Sequence, residues 1–223
     1  MDNSRAVVVK IDGIDGCGKT TLVDSLNSAY RVDLNVLATK EFCSDLDNYA
    51  STLSGGTLTV SEILDRVCKC PNCDLDDIER ELLWAVASRR SNRIVISPRL
   101  KKFDLILVDR SYLGNLAYGP ALDHRLALVF DFVTTPVEIA DLILWIDTPV
   151  GVCEERLRQR ARDVIELKGS EFFGEVRSRY EALASIASNV KRLDGTLSRG
   201  ALTTAAMQII DSTREENRGT TRK

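Results

Sequence analysis

Hydrophobic positions along the chain fall into short continuous runs separated by stretches with a helical period. Ala6-Val7-Val8-Val9-Lys10-Ile11 is β-branched, ends in Asp-Gly and predicts a buried strand. After a Gly-rich turn, Leu22, Leu26 and Ala29 recur at i, i+4 and i+7, which predicts a helix from Lys19 to about Tyr30. Asn35 to Thr39, Leu105 to Val108 and Leu142 to Ile146 predict three more strands, and Val190 to Leu193 a weaker fifth. Because the runs are continuous rather than alternating, they belong in a parallel sheet covered on both faces. The expected class is α/β, three layers α/β/α around a five-stranded parallel sheet, with ligands at the carboxyl ends of the strands.

Residues 43–75 break this pattern with polar, Ser/Thr/Gly-rich sequence and clustered cysteines, and are expected to be an insertion on a single domain spanning 1–212. The charged, Gly/Thr-rich stretch 213–223 is expected to be a frayed, flexible tail. A net charge of −3 over 223 residues argues against a protein that wraps duplex nucleic acid. No apolar run approaches the roughly 20 residues a membrane span needs, and Met1 to Arg5 opens no signal peptide, so a cytoplasmic location is expected. Six cysteines are too sparse for a disulfide scaffold. The single histidine, His124, removes Ser-His-Asp, Cys-His and His-based zinc chemistry, leaving Asp, Glu, Lys, Arg and backbone amides.

Gly13-Ile14-Asp15-Gly16-Cys17-Gly18-Lys19-Thr20 fits G-x-x-x-x-G-K-[ST] between a predicted strand and a predicted helix. In a P-loop of this kind Gly13, Gly16 and Gly18 let backbone N–H groups turn onto phosphate oxygens. Lys19 reaches the β/γ-phosphates of ATP, and the hydroxyls of Thr20 and Thr21 lie at the helix start, Thr20 as a ligand to Mg²⁺. Asp109, closing an apolar strand, is the candidate carboxylate for the same Mg²⁺; otherwise it caps the next helix.

At this point the sequence resembles the thymidylate kinase family of nucleoside monophosphate kinases over most of its length. The resemblance rests on Asp15 in the loop, on Asp109-Arg110-Ser111-Tyr112-Leu113-Gly114-Asn115-Leu116-Ala117-Tyr118, on Leu144 to Pro149, and on Arg156 to Glu166 followed by Phe172-Phe173 and Arg177-x-x-Tyr180. It implies a P-loop NTPase fold with a lid over 150–172, a homodimer, ATP and Mg²⁺ as cofactors, and an adenine contact from Asp194-Gly195-Thr196. Arg110 then forks onto phosphate oxygens, and the transition-state cation comes from the lid, with Arg158 and Arg160 the best candidates. Each lid arginine is equally well read as part of a solvated basic face. The resemblance sets Asp15 against the acceptor sugar; otherwise Asp15 only orders the loop.

The same resemblance sets Asn115 against the acceptor base and Tyr118 near its sugar, with core packing the alternative for Tyr118. Lys40 and Glu41 stand where the family has Thr-Arg-Glu-Pro, and Gly119 where a Gln is common. The family's Leu-Leu-Phe-x-Ala-x-Arg stacks its aromatic on thymine and holds the monophosphate with its Arg. Here Trp84 and Arg89 are five apart, about 140° around a helix. Either Ala85 replaces the ring beside Arg89, or Trp84 keeps its role and Arg89 is displaced.

Cys68, Cys70 and Cys73 form Cys-x-Cys-Pro-x-Cys, and with Cys43 would make an all-thiolate structural zinc site; ordinary thiols on a loop are the even alternative. The function expected is ATP-dependent phosphoryl transfer to a deoxynucleoside monophosphate, most simply dTMP to dTDP. The alternatives are a kinase of a nucleoside or modified-base hydroxyl, for which Glu41 offers a base, and a non-catalytic nucleotide-binding module.

Overall fold

Five strands, β1 (Val7–Asp12), β2 (Val36–Lys40), β3 (Leu105–Asp109), β4 (Leu142–Asp147) and β5 (Val190–Asp194), pair in parallel in the order β2-β3-β1-β4-β5. They come from a computed structural model that describes residues 5–40, 66–68, 70, 72–128, 139–159 and 163–220. Around the sheet run α1 (Lys19–Tyr30), α2 (Asp77–Ser91), α3 (Tyr112–Leu122), α4 (Val150–Leu157), α5 (Ser170–Ile186) and α6 (Arg199–Thr220). Glu41, Cys43 and Arg160 lie outside the described residues.

The continuous apolar runs have the cause expected of them. Along β1, Val7, Val9 and Ile11 enter the larger core with Leu105 and Leu107, while Ala6 and Val8 enter the smaller core on the other face with Ile106 and Val108. Both faces are covered, so an apolar side chain is favoured at every position. Truncating one of them, Leu107→Ala for instance, would cost about 2–5 kcal/mol. Strand β5 was harder to read because it is an edge: Val190 and Leu193 are buried, while Lys191 and Arg192 face solvent and blunt it.

Register sets the site. Ile11 of β1 and Lys40 of β2 both pair with Asp109, and Asp147 pairs with Asp194, so the strand-end acids share one edge of the sheet. Helix α2 opens with a capping box: Asp76 accepts from the Glu79 N–H and Glu79 accepts from the Asp76 N–H, each at 2.8 Å. It runs on into a π-helical turn over Asn92–Ile96, tied to β1 where Lys10 Nζ donates to Asn92 Oδ1 at 2.9 Å.

The tail corrects the sequence reading. Helix α6 continues to Thr220, burying Leu202, Ala206 and Ile210 at i, i+4 and i+8. Arg214 pairs with Asp211 at 3.2 Å and lies 5.9 Å from the Tyr30 ring. Up to residue 220 the charged stretch therefore continues a helix, with Arg214 held on Asp211 and Tyr30; residues 221–223 lie outside the described residues.

Candidate active site

The turn after β1 is built for close approach. Gly13 has φ 143° and Gly16 φ 83°; a Cβ would stand 2.7 Å from the Ile146 carbonyl at the first and 2.6 Å from the Cys153 carbonyl at the second. Only glycine fits both the conformation and the space. Gly18 precedes α1 in the left-handed region and supplies no side-chain cap, leaving the first N–H groups of α1 for an anion. Lys19, 6% exposed, donates from Nζ to the Gly13 and Ile14 carbonyls at 2.8 and 3.0 Å, which holds it over the loop. Thr21 lines the cleft beside it. Cys17 is buried, and that burial pushes its thiol above the ordinary value, so it fills space rather than reacts.

Asp15 and Arg110 meet from opposite sides, Arg110 Nη2 donating to Asp15 Oδ1 at 2.6 Å, with Lys19 Nζ 3.5 Å from the same oxygen. Burial raises the Asp15 carboxyl, but the charges of Arg110 and Lys19 and the hydrogen bonds from Arg110 and Tyr118 outweigh it. The net effect holds the group well below the usual carboxylate range. Tyr118 donates to Asp15 Oδ2 at 3.2 Å and accepts from the Asp15 N–H at 3.0 Å. Arg110 has φ 85° and its N–H is fixed on the Ile11 carbonyl at 2.8 Å. A non-glycine residue in that region is strained, and here the strain aims a guanidinium at the loop.

Beneath them sits Asp12, fully buried, which sequence reading passed over as a strand end. Its Oδ1 accepts from Gly13 N–H at 2.8 Å and Tyr180 O–H at 2.7 Å. Its Oδ2 accepts from Ser111 N–H at 3.1 Å, Ser111 O–H at 2.6 Å and Gly114 N–H at 3.0 Å. Ser111 Oγ in turn caps α3, accepting from Leu113 N–H at 3.1 Å. One carboxylate thus locks the loop, the β3–α3 turn and α5 together. Asp147 does similar work nearby, accepting from Arg177 Nε at 2.6 Å and from Arg192.

The metal candidates converge. Thr20 Oγ1 donates to Asp109 Oδ2 at 2.5 Å, and Asp109 Oδ1 is buried with no hydrogen-bond partner among the described residues. A hydroxyl and an unsatisfied carboxylate oxygen at the loop's mouth form a hard-oxygen donor set that fits Mg²⁺.

Of the lid arginines, Arg158 turns away: it pairs with Glu155 at 2.7 Å with its side chain 61% exposed. The structure brings Arg156 to the loop instead, its Nη1 donating to the Gly16 and Cys17 carbonyls at 3.1 and 3.2 Å. Arginines stand at every second position, 156, 158, 160 and 162, so spacing alone could not single out Arg156. Arg156 also lines a cleft of about 230 Å³ with Cys17, Gly18, Gly195, Leu197 and Arg199, where the expected adenine contact at Gly195 falls.

Asn115 is buried with Oδ1 unpartnered among the described residues, and Tyr118 is buried beside Phe172 and Tyr180. Lys40 ends β2 exposed opposite Asp109. On α2 the buried face is Glu81, Ala85 and Ser88; Trp84 is half-buried and Arg89 exposed, so neither stands on it. Glu81, which the sequence reading passed over, is 4% exposed and feels the charges of Arg110 and Asp15.

The cysteines do not assemble as expected. Cys68 is buried with its Sγ 3.9 Å from the Arg80 carbonyl, whereas Cys70 and Cys73 are free and partly exposed. Arg80 fixes the turn by donating to the Cys68 and Cys70 carbonyls at 2.7 and 3.2 Å. Among the described residues no group of three or more His, Cys, Asp or Glu is arranged to hold a metal. The expected zinc site finds no support there.

Comparison with known proteins follows the same residues. The family model for thymidylate kinase matches residues 11–205. A thymidylate kinase of Fervidobacterium nodosum is 30% identical over 193 residues, 84% of this chain and 90% of that protein. One of Desulforudis audaxviator is 33% identical over 186 residues, 80% of this chain and 78% of its own. One of Acinetobacter baumannii is 28% identical over 211 residues, covering 91% and 98%. The matched region takes in the glycine turn, the Asp109-Arg110 junction, helices α4 and α5 and the cleft at Gly195, and the chain belongs to the thymidylate kinase family.

Proposed function

We propose that this protein transfers the γ-phosphoryl group of ATP to dTMP, giving ADP and dTDP. The observation that carries the reading is the Asp15–Arg110 pair, which joins the phosphate loop to the β3–α3 turn and so sets acceptor against donor. The family and the names of its relatives supply the substrate pair.

Loop amides and the start of α1 bind the β- and γ-phosphates, and Lys19 reaches the transferring group. Thr20 and Asp109 hold Mg²⁺, which when bound neutralises charge on the phosphate oxygens. Adenine enters the cleft at Arg156 and Gly195. The acceptor lies over Asp15, Arg110, Asn115 and Tyr118, with Arg110 forking onto its phosphate and Tyr118 set to crowd a 2′-hydroxyl. Its phosphate oxygen is already an anion at neutral pH, so the attack needs no general base. By the family resemblance, lid residues 150–172 close over the transfer and exclude water, with Arg158 and Arg160 the candidates to supply a cation to the moving group. The family resemblance assigns Trp84, Arg89, Lys40 and Glu41 to the acceptor as well.

ADP release measured over a panel of nucleosides and monophosphates tests the reading. Turnover with dTMP above other monophosphates and none with nucleosides is expected; turnover with nucleosides alone points to a hydroxyl acceptor, and none at all to a nucleotide-binding module. The family resemblance also carries a homodimer, which light scattering measures, and residence in the cytoplasm. No helix among the described residues is long and apolar enough to cross a membrane.

A further inference from the structure

The Tyr118 ring is held at its tip by the phosphate loop and along its sides by α5. Its hydroxyl donates to Asp15 Oδ2 at 3.2 Å and accepts from the Asp15 N–H at 3.0 Å. Tyr180 meets it in a T-shaped contact, ring centres 6.4 Å apart at 87°. Tyr180 is itself fixed, its O–H on Asp12 at 2.7 Å and its ring stacked on Trp145 at 6.1 Å. Phe172 makes the other contact, 6.0 Å from Tyr118 at 62°, and is backed by Phe173 at 5.6 Å. Phe173 is fully buried and Phe172 half-buried. Phe172 and Tyr180 stand eight residues apart on α5, about 12 Å along a helix axis. Tyr118 therefore sits in a clasp that spans two turns of α5, with Tyr180 one jaw and Phe172 the other.

We propose that Phe172 is a positioning residue for sugar selectivity: it closes the clasp on Tyr118, so that the ring stands as a fixed wall against a 2′-hydroxyl. The hydroxyl bonds to Asp15 fix one end of the ring, but the torsion that turns an aromatic ring is soft, so side contacts decide its tilt. A wall rejects one added hydroxyl only if it cannot yield, since van der Waals repulsion is relieved by a shift of a few tenths of an ångström. An aromatic edge contact is worth a factor of about two to ten. Tyr180 keeps its place through Asp12 and Trp145 without help from Phe172. Losing Phe172 therefore opens one jaw while the loop and the other jaw stay in place. The ring then tilts, and the acceptor site admits ribonucleotides.

This inference rests on the reading of Tyr118 beside the acceptor sugar, and the experiment separates the two. With the whole protein, kcat/KM and calorimetric affinity are measured for dTMP and for ribothymidine monophosphate, which differs only by the 2′-hydroxyl. The ratio between the two acceptors is the readout, because a residue that only supports the fold moves both together. In Phe172→Ala the preference for dTMP should fall about five- to tenfold. Phe172→Tyr, which keeps the ring, should hold the preference within about twofold of wild type. Leu183→Ala, which removes a half-buried apolar contact further along α5, should leave the ratio at the wild-type value. An unchanged ratio in Phe172→Ala, or an equal loss in Phe172→Tyr or Leu183→Ala, would overturn the assignment. If Phe172→Ala does not fold, Phe172→Leu, which keeps most of the volume without the ring, takes its place with the same expected loss. A wild type indifferent to the 2′-hydroxyl would overturn the reading of Tyr118 and this one with it. Binding without turnover would count against the proposed reaction, while the two affinities still decide the role of Phe172.

Discussion

Thr20 on α1 and Asp109 on β3, 89 residues apart, meet at 2.5 Å through one carboxylate oxygen while the other is buried and unpartnered. The contact leaves a single oxygen for a metal. Asp109→Asn keeps an acceptor for Thr20 and so should leave the melting temperature within a few degrees, yet it removes the charge. We expect kcat to fall about 10²–10³-fold, with the Mg²⁺ concentration for half-maximal rate raised at least tenfold. Titration of rate against Mg²⁺ checks it; an unchanged Mg²⁺ requirement would remove Asp109 from the site.

Asp15 gives the site its acid sensitivity. Its folded carboxyl lies below its unfolded value of roughly 3.9, so its charged form stabilises the fold above that pH. The contribution is lost as pH falls through the folded value. Asp15→Asn has no such group. The difference in unfolding free energy between wild type and variant should shrink by about 2 kcal/mol as pH drops from about 5 to 2. Denaturant unfolding at a series of pH values measures it, and parallel curves would show that Asp15 does not couple to Arg110 and Lys19 in solution.

Asp12 is a stability residue at the heart of the site. Removing its side chain leaves buried donors from Gly13, Ser111, Gly114 and Tyr180 without an acceptor. Asp12→Ala should cost about 3–5 kcal/mol, and Tyr180→Phe, which removes one donor, about 2 kcal/mol. Urea melts of the two variants provide the check. Equal and small losses would mean that water takes over the network.

The contrast between Asp12 and Asp109 shows what the chain made legible. Apolar runs ending in acids, a glycine turn and Lys-Thr opening a helix are local patterns, and they located the strands, the loop and the Thr20–Asp109 pair. Asp12 also ends such a run, but its donors at Ser111 and Tyr180 are 99 and 168 residues away, so no nearby spacing announces them. Glu81 was hidden for a related reason: which side of α2 is buried depends on its packing against α3, and Leu82-Leu83-Trp84 draws the eye to the wrong side. The charged end of α6 carries no apolar residue after Ile210, so nothing local to it announces the helix that runs on to Thr220. Arg156 stands two residues before Arg158, about 200° away round the helix, and that is the side that reaches the loop carbonyls.

Gly195 links the donor cleft to the phosphate loop through Thr148. A Cβ there would stand 1.8 Å from Thr148 Oγ1 and 2.9 Å from Ile146 Cγ2, and the Gly195 N–H is held on the Asp147 carbonyl at 3.0 Å. Thr148 is buried and donates to the Cys17 carbonyl at 3.3 Å, so it cannot swing aside without releasing the loop. Gly195→Ala must therefore shift either the 194–196 turn, whose Gly195 lines the cleft, or Thr148, which holds the carbonyl of the cleft residue Cys17. Overpacking of this kind should cost about 1–3 kcal/mol. We expect KM for ATP to rise about tenfold while KM for dTMP stays within twofold, the two sites being on opposite sides of the loop. Adding Thr148→Ala removes the hydroxyl from the clash and should recover about 1 kcal/mol in a double-mutant cycle. Additive losses would show that the added methyl is accommodated by the turn alone and that Thr148 does not carry the strain to Cys17.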